Sequence, residues 1–577
     1  MPNMLGKGVN MEKLPKWNLS SIYKEPLSEE FLSDIEKSKE LAKELVEAAK
    51  RKDSILSLIE RADYLKALVA TYSAYASALL STDTSNPMYI KSVSLAEEGS
   101  VAASDALSKL CYYLKDRKSE FSSPELEPYK LFLHEIAVEA DHQMSPEEES
   151  LANDMMRVSA SSWERLQASV TSSIADGDKT LIELRGLATN PDRKVREDAF
   201  NRELKILEQH KVALAASLNG VKGTCLMLEK RRGWSDPLDR SCFMARISKK
   251  TLDALISALV DALPMFRSYF DTKAKLLGID KMAFYDLFAP VGSQDKRYTF
   301  EEAKKIVIDS YTGFSKEMGD FVRSAFENEW IDAEPHKGKV GGAYDTAFPL
   351  RGESRVLCNF DYSYDSVSTI AHELGHAYHD SIVKDLPTSR AEYPMTLAET
   401  ASIFGEQIVF QEVLKSATKE EALPIIESFV GSAAQVCVDI LSRFYFEKSA
   451  FEKRESGEVT PDEFSRLMLD AEERTYGDAL SIKHPYMWAV KSHYYSAEFS
   501  FYNYPYAFGQ LFALALFSKK DSVPDFPKLY KEVLALTGSE DAVAVAKAAG
   551  FDIESKEFWL DGISVIAGYA ERLKEWL

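Results

Sequence analysis

The sequence predicts a mainly α protein in which one helix carries a metal-binding motif. Three observations carry that prediction. Apolar residues recur at 3.6-residue spacing through most of the chain, few stretches alternate as strands do, and His372-Glu373-Leu374-Gly375-His376 lies inside a bounded helical pattern. With 45% hydrophobic and 28% charged residues over 577 positions, the chain is globular and has core enough for several domains. No repeat, low-complexity tract or long linker interrupts it.

Along the chain, Ser28-Glu29-Glu30-Phe31 has the form of a capped helix start, and Leu41-Ala42-Lys43-Glu44-Leu45-Val46 continues that helix. Asn190-Pro191-Asp192-Arg193 is a turn-rich break. It divides the expected organisation into an N-terminal helical lobe, 1–190, and a catalytic domain, 191–577. Gly341-Gly342-Ala343-Tyr344 reads either as a loop touching substrate backbone or as an ordinary turn. The neighbouring Gly338-Lys339 lacks the remaining residues of a phosphate loop. Arg355-Val356-Leu357-Cys358-Asn359-Phe360 is rich in strand formers and predicts a small β-sheet beside the motif helix. An exposed edge there would pair with an extended peptide.

In the motif itself, Ile370, Leu374, Ala377 and Tyr378 form a core-facing stripe, and His372, His376 and His379 fall on nearly the opposite face. Asp365 or Ser366 is the expected cap, and Lys384-Asp385-Leu386-Pro387 the end. Histidines four apart on one helix face can share an ion, and Glu373 beside them can reach a water on it. With nine histidines in the chain, chance would produce such a run in about one chain in a hundred of this composition. A catalytic zinc keeps three protein ligands. His379 would lie a full turn away, which suits a supporting role. Downstream, Pro394 fits the first turn of a helix that leaves Glu392 outside. Glu399 and Glu406, seven apart, share a face of that helix, so one can bind the ion while the other holds a ligand in place.

The run His372 to His379 with Glu399 downstream resembles the M3 metallopeptidases, and within them the oligoendopeptidase F group. Leu14-Pro15-Lys16-Trp17-Asn18-Leu19-Ser20-Ser21-Ile22-Tyr23 resembles the N-terminal signature of that group. Trp330-Ile331-Asp332 with Gly338 to Tyr344 resembles the segment before its active site. The resemblance implies a zincin-type, mostly helical fold of two lobes around a deep channel. It implies one Zn2+ per chain on His372, His376 and Glu399, with Glu373 as general base. It further implies that short unfolded oligopeptides are cut internally. His493, in a stretch with five tyrosines, matches a residue that faces the substrate carbonyl; Tyr506, then Tyr502, is the matching tyrosine. The competing readings are a zinc carboxypeptidase or dipeptidyl-type exopeptidase with the same ligands, and a non-catalytic peptide-binding relative.

Composition sets further expectations. Five scattered cysteines without a CxxC pair suit reduced thiols in a cytoplasm. A net charge of −21 argues against nucleic-acid binding. No stretch is expected to span a membrane, and no signal-peptide run is evident. Side-chain preference and oligomeric state are not readable.

Overall fold

In the computed structural model, which describes residues 13–293 and 296–577, helices account for 72% of the chain and the sheets are small. The helices that matter here are, in chain order, α1 (Glu29–Lys50), α2 (Ile55–Thr82), α3 (Pro87–Leu114), α4 (Arg193–Arg231), α5 (Phe300–Phe314), α6 (Tyr364–Val383), α7 (Met395–Ser416), α8 (Lys419–Glu455) and α9 (Tyr504–Ser518). α1 starts where the sequence places it, with the Ser28 hydroxyl accepting from the Phe31 N–H.

The chain forms two compact units, each assembled from three segments. The first holds Met1–Asp141, Gln294–Ala417 and Lys520–Ala549; the second holds His142–Ser293, Thr418–Lys519 and Gly550–Leu577. The expected cut at 190/191 therefore falls inside the second unit. The turn at Asn190 only joins neighbouring helices of that unit: Asp192 caps α4, whose Arg196 donates back to the Asn190 carbonyl at 2.7 Å.

In the first unit, α1, α2 and α3 bury an aliphatic and aromatic core that includes Leu45, Leu58, Leu110, Phe31, Tyr72 and Tyr75. A three-stranded sheet follows the order β1 (Ile331–Asp332), β3 (Glu353–Leu357), β2 (Tyr344–Phe348), with β1 parallel and β2 antiparallel to β3. The strand read near Arg355 is thus central and both its edges are filled. The edge expected there belongs instead to β2. The N-terminal signature packs on this sheet: buried Arg355 donates to the Asn18 carbonyl at 2.8 Å, and the Ala333 N–H donates to the Pro15 carbonyl at 2.9 Å. Lys339 is fully buried and spends its ammonium on Asp332 Oδ1 at 2.6 Å and the Cys358 carbonyl at 2.7 Å.

In the second unit, α8 runs for 37 residues and contains a π-helical turn, Gln435–Asp439. By length and composition α8 passes as a membrane span, against the expectation of none; its apolar window is 67% buried, as a core helix is. Lys222 of α4 pairs with Glu447 of α8 at 2.6 Å, both 1% exposed. All five cysteines are free.

Glu229 of α4 is buried with no hydrogen bond to either carboxyl oxygen and only a long ion pair to Arg240 at 3.9 Å, and burial pushes its pKa from 4.5 up to about 7. A carboxyl raised in the folded state is costless below its unfolded pKa and destabilises as pH rises toward the folded value. Glu229→Gln should therefore match the parent near a pH of about 4.5 and exceed it by up to about 3 kcal/mol near a pH of about 8, measured by denaturant unfolding at both pH values. Equal stability differences at the two values contradict this.

Candidate metal centre

α6 is capped by Ser363, two or three residues before the expected Asp365 or Ser366. Ser363 accepts from the Ser366 N–H at 3.2 Å, and Asp361 Oδ1 accepts from the Ser363 N–H and the Ser366 hydroxyl. Asp361 therefore captures the Ser366 hydroxyl as Ser363 takes its amide, and Asp365 lies inside the first turn. The stripe of Ile370, Leu374, Ala377 and Tyr378 is buried at 4% exposure or less. That burial turns the other face of α6 toward α7.

His372, His376 and Glu399 meet there, the one group of three metal-capable side chains among the described residues. The two Nε2 atoms lie 3.2 Å apart, and Glu399 Oε2 lies 3.3 Å from one and 3.5 Å from the other. Ligands about 2.05 Å from a tetrahedral zinc stand about 3.3 Å from one another, so the three donors fit such an ion. Glu406 accepts from His372 Nδ1. That bond turns Nε2 toward Glu399, and Glu406 lies outside the group of three donors. Burial lowers the His372 pKa, but Glu406, Glu399 and Glu373 outweigh it and raise the group to about 9. Burial raises Glu399, and the two imidazoles and the Ser402 hydroxyl bring it down to about 2.

The donors converge because α6 and α7 touch backbone to backbone. A Cβ on Gly375 would sit 2.5 Å from the Ala401 carbonyl oxygen and 2.7 Å from Ser402 Cα. Across the contact, Gly405 of α7 leaves room for the Tyr311 hydroxyl, which reaches from α5 to donate to the Ala371 carbonyl at 2.6 Å. Residues Gly375, Gly405 and Tyr311 are missed by the sequence reading. A glycine inside each helical pattern was the available signal.

Glu373 is 6% exposed; burial raises its pKa, His372 and His376 oppose the rise, and the Asp345 backbone N–H of β2 donates to it. Beside that amide, the Asp345 and Asp380 carboxyls lie close to each other, and burial raises both. His379 points away from the donor group. It is fully buried, bonded to Thr537 Oγ1 at 2.8 Å, stacked on Tyr393, and lowered by burial to about 3. It is a neutral structural prop. Glu392 lies outside α7, and pairs with Lys66 at 2.6 Å.

His493, Tyr502 and Tyr506 belong to the second unit and cluster there, with ring centroids 4.8 to 6.2 Å apart. Of the five tyrosines in this stretch, Tyr494, Tyr495 and Tyr504 are fully buried, which leaves Tyr502 and Tyr506 as the partly exposed pair. His493 Nδ1 donates to Asn503 Oδ1 at 2.9 Å, an oxygen that also accepts from Arg443 at 3.2 Å. Burial holds the His493 pKa below its usual value.

Two imidazoles on one helix, closed by a carboxylate from the next, on a mostly α fold, define a metal-dependent hydrolase. The profile of peptidase family M3 matches residues 186–565, and that of Oligopeptidase F matches 115–175. The chain belongs to peptidase family M3. Oligopeptidase PepF of Bacillus subtilis (strain 168) is 25% identical over 570 residues, covering 94% of this chain and 84% of that protein. An oligoendopeptidase F homolog of Lactococcus lactis subsp. lactis (strain IL1403) is 27% identical over 386 residues, 64% of this chain and 62% of its own. A Chlamydophila abortus crystal structure superposes with a TM-score of 0.84 at 20% identity, covering 97% of this chain and 98% of that one. Oligoendopeptidase-F from Enterococcus faecium does so at 0.67 and 20% identity, covering 94% and 98%. The family is one of metallopeptidases, so a metal is implied and the enzyme is a peptidase.

Two outcomes are expected from this geometry. Gly375→Ala forces α6 and α7 apart; it should lower stability by about 1–3 kcal/mol and weaken zinc binding, read by unfolding and by metal titration. Glu406→Gln keeps the three donors but loosens His372; zinc affinity should fall about 10–100-fold in a chelator competition. An unchanged affinity in both variants contradicts the packing account.

Proposed function

We propose that the protein is a zinc-dependent endopeptidase that cuts internal bonds of short, unfolded oligopeptides. The observation that carries this is the convergence of His372, His376 and Glu399 with the Glu373 carboxylate on the same helix. In this reading those three side chains hold one zinc per chain. When bound, the ion supplies Lewis acidity, lowering the pKa of water to about 7 and polarising a carbonyl. Glu373 accepts a proton from the attacking water and passes it to the leaving amine. Its raised pKa, set by burial, suits it to both transfers. The Asp345 amide keeps the carboxylate in place meanwhile.

The carbonyl oxygen gains negative charge as the bond breaks, and we assign its donors to Tyr506 and Tyr502, with His493 positioned beside them. Because His493 Nδ1 carries the hydrogen that Asn503 accepts, Nε2 of the neutral ring holds a lone pair. The tyrosine hydroxyls are then the donors available to neutral enzyme. For the peptide backbone, β2 is the longer of the two edge strands of the sheet and can take an extended peptide on its outer side. The names of the relatives, oligopeptidase and oligoendopeptidase F, support the substrate class. Five free thiols support a reducing, cytoplasmic setting.

Glu373→Gln should keep its zinc, by metal analysis, and lose at least about 10³-fold in turnover of a quenched peptide. A variant that cuts at the parent rate removes Glu373 from the mechanism. The same peptide, blocked at both ends, should be cut internally; intact blocked peptide beside cleaved free-ended peptide would favour the exopeptidase reading. Tyr506→Phe or Tyr502→Phe should cost about 10²–10³-fold in kcat with zinc content unchanged.

A further inference from the structure

A cavity of about 80 Å³ inside the second unit has no part in the reading above. Its charged lining consists of Arg185, Arg443, Lys491 and a single carboxylate, Asp439. These charges do not balance. Asp439 is taken by Arg443. Arg185 is taken by Glu203, whose same oxygen also meets His484 Nε2 at 3.2 Å. The nearby Glu472 does not compensate, because burial pushes its pKa well up and it accepts from the His484 N–H at 2.7 Å.

Lys491 is left over. Its ammonium makes no hydrogen bond or ion pair with any described residue. Burial, together with Arg443, pushes its pKa down to about 8. A second donor is also left over: Nε of Arg443 is buried without an acceptor, on a side chain 7% exposed. A buried donor without a partner costs about 1–3 kcal/mol; Arg443 Nε is one such donor, and the partly buried Lys491 adds an unpaired ammonium to the lining of the same cavity. The cavity wall that carries Asp439 is the π-helical turn of α8. Turns of this kind interrupt the regular hydrogen-bond ladder and recur at functional sites.

We propose that this cavity binds one small monovalent anion, a halide ion or a carboxylate group, between Lys491 and Arg443. The volume suits it. It is far below the roughly 300 Å³ of ordinary ligand pockets yet admits a chloride or a carboxylate head. Both unpartnered donors are cationic, and charge-assisted hydrogen bonds are the strong kind. The site also reaches the proposed catalytic aromatic cluster, since Arg443 donates to the same Asn503 oxygen that receives His493 Nδ1. Its existence does not depend on the peptidase mechanism.

The test uses the full-length protein in a buffer whose only anion is a bulky sulfonate, titrated with chloride or with acetate at constant ionic strength. Chloride-35 NMR linewidth and the thermal midpoint are the readouts, neither of which needs activity. The expected result is saturable broadening by chloride and a Tm rise of about 2 °C, both abolished in Lys491→Met and kept in Lys491→Arg. Lys491→Met removes an unpaired, partly buried charge, so its Tm without added anion should be no lower than the parent's. A Tm rise with acetate and none with chloride identifies the occupant as a carboxylate. A response to neither anion, one that never saturates, or one that survives in Lys491→Met overturns the proposal.

Discussion

Two helices can bring their backbones into contact only where one of them has no side chain, and the metal centre depends on that contact. Gly375 lets α6 lie directly on the Ala401–Ser402 backbone of α7. At ordinary helix separations of 8–10 Å, a carboxylate of α7 would have to stretch to meet the imidazoles of α6. In contact, Glu399 reaches both Nε2 atoms and Glu406, two turns on, still reaches the far side of His372. Tyr311 holds the pair from outside by its bond to the Ala371 carbonyl, in the space Gly405 leaves open. One packing decision thus sets the donor triangle, the orientation of His372 and the division of labour between two glutamates.

The surroundings of this contact are rich in buried charge. Glu373, Asp345 and Asp380 all sit in apolar surroundings that raise them, while Glu399 is brought low by its imidazole neighbours. Neighbouring carboxyls are pushed in opposite directions by environment alone, the pattern that separates an acid or base from a ligand. Structure that would otherwise be destabilising is held by hydrogen-bonded links, such as Tyr393 to Asp380 at 2.8 Å. In the second unit, Lys491 forms no ion pair with a described residue.

Much of the site was legible because its parts are local. The His372 to His376 spacing, the apolar stripe behind it and the shared face of Glu399 and Glu406 all follow from helical periodicity within a few turns. Capping was less legible. Ser363, Ser366 and Asp361 compete for the same hydrogens, and only the observed Ser363 cap leaves all of them bonded. The strand at Arg355 was recognised, but its central place was not, because β1 and β2 come from separate segments. The two units likewise gather three segments each, and no change in composition marks where the chain passes from one to the other.

The sequence by itself determined a mainly α chain, a bounded helix with two histidines on one face and a glutamate beside them, and a downstream helix with two candidate carboxylates. Local chemistry suffices for these, since helix period and side-chain type need no partner. Tertiary structure decided which carboxylate faces the imidazoles, that His379 is a prop, and that only Tyr502 and Tyr506 of five tyrosines stay partly open beside His493. It also left Lys491 unpaired in the lining of a small cavity. Those outcomes depend on distances between residues far apart in the chain, set by how closely backbones approach, and a helical period carries no record of that.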